Sequence, residues 1–203
     1  MPRDTLGILR LGQTPEEMVR IPSVSGFKVP AEAGAFVAYL LEKEPGAEDE
    51  TPESGAGAEP AEEPAAEVQG GQEGEEDEKP ERGEGRTLVL RNLVSGQEWR
   101  FDDAKEYAFT PMGEALAFTR VTEDGSGDGA FVVDTGSGEA RPLHQGMGRY
   151  AGLATAEEGD GIAFLTDADD WESETPEFTL MVAAASGGAA RAAPPEAAAT
   201  MRV

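Results

Sequence analysis

Apolar residues in this chain come in short runs broken by Gly, Pro, Asp and Ser. The runs alternate or are apolar throughout, and none holds a helical period for long. Phe27-Lys28-Val29 and Phe36-Val37-Ala38-Tyr39-Leu40-Leu41 are rich in strand formers, with Pro30 to Gly34 as a turn between them. Leu88-Val89-Leu90, Glu98-Trp99-Arg100-Phe101 and Tyr107-Ala108-Phe109 follow, then Ala115-Leu116-Ala117-Phe118 and Ala130-Phe131-Val132-Val133-Asp134. The order recurs with Tyr150-Ala151-Gly152-Leu153, Ile162-Ala163-Phe164-Leu165 and Phe178-Thr179-Leu180-Met181-Val182. One helix is predicted. Thr14-Pro15-Glu16-Glu17 offers a cap residue, a proline at the first helical position and a glutamate three residues after the cap. It runs to about Arg20, where Ile21-Pro22 stops it.

Two landmarks repeat. One is an apolar-Ala-aromatic strand: Val37-Ala38-Tyr39, Leu116-Ala117-Phe118 and Ile162-Ala163-Phe164. The other is a strand ending in a Ser-Gly turn: Leu88 to Gly96, Ala130 to Gly138 and Phe178 to Gly187. Successive Ser-Gly turns lie roughly 42 and 49 residues apart, close to the ~40–50 residues of a four-stranded propeller blade. A strand apolar on both faces suits a sheet sandwiched between two others. Its small central alanine permits close approach of the neighbouring sheet. The reading is all-β: a partial β-propeller of about three four-stranded blades. The ordinary alternative is an antiparallel sandwich with accidental similarity.

Composition shifts abruptly at one place. Between Glu42 and Arg86 the chain holds roughly 17 acidic and three basic residues and almost no large apolar ones. Such a stretch cannot offset a chain entropy of about 1–2 kcal/mol per residue, so it is expected to be a long disordered acidic insert. It explains why the first alanine-to-alanine spacing is about 79 residues. The insert reads as an acidic interaction segment or as a surface loop that lengthened at little cost. The expected organisation is an N-terminal segment with a short helix (1–20), a first blade (21–42 and 86–101), the insert (43–85), a second blade (102–143), a third blade (144–190) and a flexible tail (191–203).

The formal net charge of -25 disfavours nucleic acid and anionic lipid as partners. With no cysteine, disulfides, thiolate nucleophiles and Cys-ligated zinc are excluded. No apolar run is long enough to span a bilayer, and the first ten residues lack the apolar core of a signal peptide. As written the chain reads as cytoplasmic; a true start further upstream would leave export open.

Tyr107-Ala108-Phe109-Thr110-Pro111-Met112-Gly113-Glu114-Ala115-Leu116-Ala117-Phe118 resembles the blade motif of TolB-like propellers. That motif also occurs in the N-terminal propeller of prolyl oligopeptidase family serine peptidases. Phe36 to Glu44 and Gly129 to Leu143 are similar to such a peptidase propeller too. The pattern departs at Met112, where the motif usually carries Asp and so a side-chain hydrogen bond across the turn. It departs again in the third repeat, which has no Pro in its turn. There Leu153 to Phe164 is about two residues longer than Phe109 to Phe118. The resemblance implies a propeller that sits over a separate α/β-hydrolase domain, limits which peptides enter and helps hold substrate. Its implied partners are that hydrolase domain or further blades, and peptide. The alternative is a stand-alone TolB-like module for protein interaction.

No residue is assigned a catalytic, cofactor-binding or metal-binding role. Serine peptidase chemistry needs Gly-x-Ser-x-Gly on a strand-to-helix turn, and the sequence lacks it. Gly125-Ser126-Gly127 and Gly136-Ser137-Gly138 have the wrong spacing. His144, the single histidine, has no activated serine to serve, so it reads as a loop residue. Asp124-Gly125-Ser126-Gly127-Asp128-Gly129 resembles the front of a calcium loop, but its twelfth position is Thr135, where a bidentate Glu is needed. Asp167-Ala168-Asp169-Asp170-Trp171-Glu172 offers paired carboxylates for acid-base work or for a substrate's amino terminus, or else forms a solvated loop beside Trp171. Three blades cannot close a ring, so poor solubility or self-association is expected in isolation.

Overall fold

The computed structural model describes residues 4–9, 12, 14, 18–42 and 82–194. Thirteen strands and no helix occur among them. They are β1 (Thr5–Ile8), β2 (Val19–Pro22), β3 (Val24–Lys28), β4 (Phe36–Leu41), β5 (Arg86–Asn92), β6 (Glu98–Phe109) and β7 (Ala115–Arg120), then β8 (Gly129–Asp134), β9 (Ala140–Gln145), β10 (Tyr150–Thr155), β11 (Gly161–Thr166), β12 (Thr179–Ala184) and β13 (Arg191–Ala192). The expected insert, apart from its last residues, lies outside the described residues.

The predicted helix needs correction where it can be seen. Residues 15–17 are outside the described residues, but Val19 and Arg20 begin β2, which pairs antiparallel with β1 from Ile8↔Val19 to Thr5↔Pro22. Pairing and partial burial of Ile21 make this stretch a strand, so the predicted helix does not reach Arg20.

By hydrogen bonding, β3 to β9 form one seven-stranded ladder and β10 to β13 a four-stranded one. The seven-stranded ladder is nonetheless two stacked sheets. The long strand β6 serves both, its first half pairing with β5 (Leu88↔Phe101) and its second with β7 (Phe109↔Leu116). The chain bends between the halves at Asp103, whose φ is 61°, a left-handed conformation that Asp tolerates better than most side chains.

Three apolar clusters show the stacking. Val24, Val37, Tyr39 and Val89 meet Leu6, Ile8 and Ile21 of the β1–β2 hairpin. Ala38, Leu88 and Leu90 on the other face of the first sheet meet Leu116, Phe118, Phe131 and Val133 of the second. Ala115, Ala117, Ala130 and Val132 on the second sheet's far face meet Tyr150, Ile162, Phe164 and Met181 of the third. Every central strand therefore buries alternate residues on opposite faces. Polar ties cross the same seams. Lys28 Nζ donates to Tyr107 O (2.7 Å) and Tyr107 OH to Gly26 O (3.2 Å). Thr155 Oγ1 donates to Phe109 O (2.8 Å).

The departures from the repeat motif resolve locally. Met112 is exposed, and Thr110 supplies the turn's side-chain bond: its Oγ1 accepts from Ala115 N at 3.1 Å. The extra length in the third repeat is not in its hairpin. Thr155 pairs with Ile162 as Phe109 pairs with Leu116, so Leu153 corresponds to Tyr107 and not to Phe109. Both strands carry a bulge just before this hairpin, between Ala104 and Tyr107 in the second sheet and between Ala151 and Ala154 in the third, where Gly152 has φ 65°. Past Ala190, Arg191 and Ala192 still pair with Val182 and Met181, so the third sheet runs two residues into the stretch expected to be a flexible tail.

The Ser-Gly turns of the first two sheets are built alike. Asn92 Oδ1 accepts from Ser95 N (3.0 Å), and Asp134 Oδ1 accepts from Ser137 N (2.8 Å). These Ser137 bonds hold the Asp134 carboxyl below the usual carboxylate range. Gly138 closes the second turn at φ 74°, and a Cβ there would lie 2.0 Å from Trp99 Nε1. Gly138→Ala is expected to cost at least ~1–3 kcal/mol from backbone strain alone. The check is urea unfolding followed through Trp99 emission; a loss under half a kcal/mol, about the spread of neutral surface changes, would show the turn is not needed as drawn.

Candidate functional site

The register brings several distant segments to one end of the stack. Arg86 faces Ala104, Ala104 faces Arg120, Arg120 faces Gly129 and Gly129 faces Gln145. The connections β7–β8, β9–β10 and β11–β12 all emerge there, and so does the stretch leading into β5. This rim holds all three groups singled out in the sequence: the Asp124–Gly129 loop, His144 and the Asp167–Glu172 segment.

Asp128 is the pivot. It is 1% exposed, and its Oδ2 meets Arg82 Nη1 at 2.6 Å. Its Oδ1 accepts from Thr122 N (2.8 Å) and its Oδ2 from Gly148 N (3.3 Å). Arg82 also donates to the carbonyls of Thr122 (3.0 Å) and Glu123 (2.7 Å). This arginine belongs to the stretch expected to be insert (43–85), and it is bonded into the rim. Asp124 turns inward on its own loop. Its Oδ1 accepts from Ser126 N and Oγ (3.0 and 2.9 Å), which lowers its pKa. Asp124 Oδ1 and the Asp128 carboxylate, two positions of the calcium-like pattern, are thus hydrogen-bonded within the turn and to Arg82. Among the described residues no group of three His, Asp or Glu side chains comes together to hold a metal ion. Ser137 Oγ is likewise used by Asp134, at 2.9 Å.

A second buried ion pair stands beside the first. Arg149 Nε meets Asp167 Oδ2 at 2.7 Å, and Arg149 N donates to Asp167 Oδ1 at 2.6 Å. The Arg149 guanidinium lies over the Phe178 ring, 4.7 Å from its centroid. His144 Nδ1 is 2.9 Å from Tyr150 OH, which donates to Gly146 O at 3.1 Å. His144 Nε2 is 3.9 Å from Asp169 Oδ1. No serine hydroxyl bonds to His144 among the described residues. Next to this group opens a groove of about 310 Å³ lined by Met147, Ala168, Asp169, Asp170, Trp171, Glu172 and Ser173. Three carboxylates and an exposed methionine suit a cationic, partly apolar occupant such as a peptide's amino end. Arg82, Arg149 and Tyr150 were not singled out in the sequence; only an isolated arginine within an acidic stretch could have marked Arg82.

Burial pushes all three tyrosines, Tyr39, Tyr107 and Tyr150, up to about 12. At Tyr150 the Thr166 hydroxyl opposes the shift, while the charges of Asp128, Asp169 and Asp167 add to it. The neutral phenol is the form the fold favours. Its stabilising contribution is complete below the ordinary value of 10.0 and is lost as pH rises from there through about 12. Ultraviolet titration is therefore expected to show no phenolate below pH 10, with unfolding coupled to its appearance. Normal titration of a folded chain would contradict the burial described.

No protein-family model and no curated protein matches the sequence. Solved structures do match in shape. The β-propeller domain of the Trilobed protease from Pyrococcus furiosus superposes with a TM-score of 0.50 at 14% identity, over 85% of this chain and 43% of that one. A structure from a study of two prolyl endopeptidases gives 0.47 at 14% identity, covering 85% and 21% of the two chains. TolB from Acinetobacter baumannii gives 0.41 at 14%, covering 86% and 34%. The fold is thus that of a partial β-propeller, and this chain spans less than half the length of the propeller domain it resembles.

Proposed function

We propose that the chain is the non-catalytic propeller portion of a prolyl oligopeptidase-like serine peptidase, gating or holding peptide for a hydrolase domain carried outside these residues. The observation that carries the reading is the sheet stack itself. Its repeats have the shape of a protease's propeller domain, and its rim carries an acidic groove beside two buried ion pairs. The acidic groove of Asp169, Asp170 and Glu172 is where a peptide's amino end is held. Arg82–Asp128 and Arg149–Asp167 keep the loops around it in place.

A fluorophosphonate probe, which labels activated serines, tests this. Tagged chain expressed in its source cells is expected to retain a labelled protein, while purified chain alone takes up no label. Labelling of the chain itself would overturn the non-catalytic assignment. Retention of no labelled protein, with no Gly-x-Ser-x-Gly frame in the neighbouring DNA, would overturn the peptidase partnership and leave a stand-alone interaction module.

A further inference from the structure

The repeated strand motif has a direction. In the first sheet Ala38 faces the second sheet while Tyr39 faces the β1–β2 hairpin. In the second, Ala117 faces the third sheet and Phe118 the first. In the third, Phe164 faces the second sheet, so Ala163 faces away. Each seam sets the alanine of one sheet against the aromatic-bearing face of the next. The pairing repeats as well: Ala38↔Leu90, Ala117↔Val132 and Ala163↔Val182. Two of these faces are fully covered. The third is not: Ala163, Leu180 and Val182 are half-buried, Leu165 is 38% exposed, and none belongs to an apolar cluster of the described residues.

We infer that the face bearing Ala163, Leu165, Leu180 and Val182 docks one more antiparallel sheet, which presents an aromatic side chain to Ala163 and comes from outside these 203 residues. Continuity with the two seams already formed argues for this occupant. The nine residues after Pro194 are too few for such a sheet. A second copy of the chain is a poor fit. Its own open face carries the same alanine, and its one outward aromatic face, at Tyr39, is closed by Leu6, Ile8 and Ile21. The hairpin thus keeps copies from stacking head to tail. The inference rests on the reading of the chain as an incomplete propeller but not on a hydrolase partner, so the fluorophosphonate result leaves it untouched.

The test supplies the missing sheet from the chain itself. In a probe carrying Ile8→Asp and Ile21→Asp, the hairpin lifts and exposes the Tyr39 face. Sedimentation of a mixture is expected to show full-length chain binding this probe at least about tenfold more tightly than it binds itself. Ala163→Arg in the full-length partner, checked for retained near-ultraviolet dichroism, is expected to remove that binding. Equal affinities, or no effect of Ala163→Arg, would overturn the proposal. So would tight self-association of full-length chain that Ala163→Arg abolishes, which would make a second copy the occupant. Should the probe not fold, photolabelling of full-length chain with bis-ANS decides. Label on residues 161–184, falling about threefold with Ala163→Arg, supports the open face; label confined elsewhere overturns it.

Discussion

Phe118→Ala is expected to lower the unfolding free energy by about 3–5 kcal/mol. Phe118 is 3% exposed and sits between Phe101 and Phe131, with ring centroids 5.3 Å away on either side. Phe101 belongs to the first sheet and Phe131 to the second, so truncation opens a void at the seam and removes two ring contacts of about 0.5–1.5 kcal/mol each. Relief by collapse is limited, because Ala38, Leu88 and Leu90 opposite are already fully buried. Urea unfolding read through both Trp99 and Trp171 is the measurement. Phe118→Leu keeps most of the volume and should lose less than half as much. A loss under about 1 kcal/mol for the alanine variant would mean that the two sheets do not stack through this ring.

Arg82→Met is expected to cost about 3–5 kcal/mol, because it leaves the Asp128 carboxylate buried without its counter-charge. The Asp128 side chain has no solvent exposure and that of Arg82 only 17%. Arg82 also satisfies the carbonyls of Thr122 and Glu123, so both ends of the β7–β8 loop loosen together. Asp128→Asn removes the stranded charge. In its background Arg82→Met should cost markedly less, and the cycle should return a coupling of about 1 kcal/mol or more. Additive losses would mean the pair acts independently, and the rim would then lack the tie described.

Much of this architecture was legible in short segments. Val37-Ala38-Tyr39, Leu116-Ala117-Phe118 and Ile162-Ala163-Phe164 carry apolar side chains on both sides of a strand, which has one physical use: a sheet between sheets. What failed did so for non-local reasons. Thr14-Pro15-Glu16-Glu17 is a helix start by local chemistry, yet Val19–Pro22 is decided by its partner strand β1. The unit boundary placed at Asp102-Asp103 coincides with the bend where β6 passes from one sheet to the next, but the sequence did not show that a single strand serves both. Leu153 was matched to Phe109 by counting, and the pairing of Thr155 with Ile162, like that of Phe109 with Leu116, moves the match by two positions. The site was harder still. Arg82 and Asp128 are separated by 46 positions and Arg149 and Asp167 by 18, and nothing local marks them as pairs. Arg82 was further hidden by the acidic composition around it.

The shared strand β6 sets how this molecule comes apart. A single unbroken run of backbone, Glu98–Phe109, is hydrogen-bonded into two layers at once, so neither layer can melt without fraying the other. The last layer has no such strand in common with its neighbour; Gln145 and Tyr150 are joined by a short connection, and the seam there is mostly side chains. Thermal disruption is accordingly expected to begin with the layer nearest the C-terminus and to reach the first two as one cooperative block, an order that hydrogen exchange on heating would show.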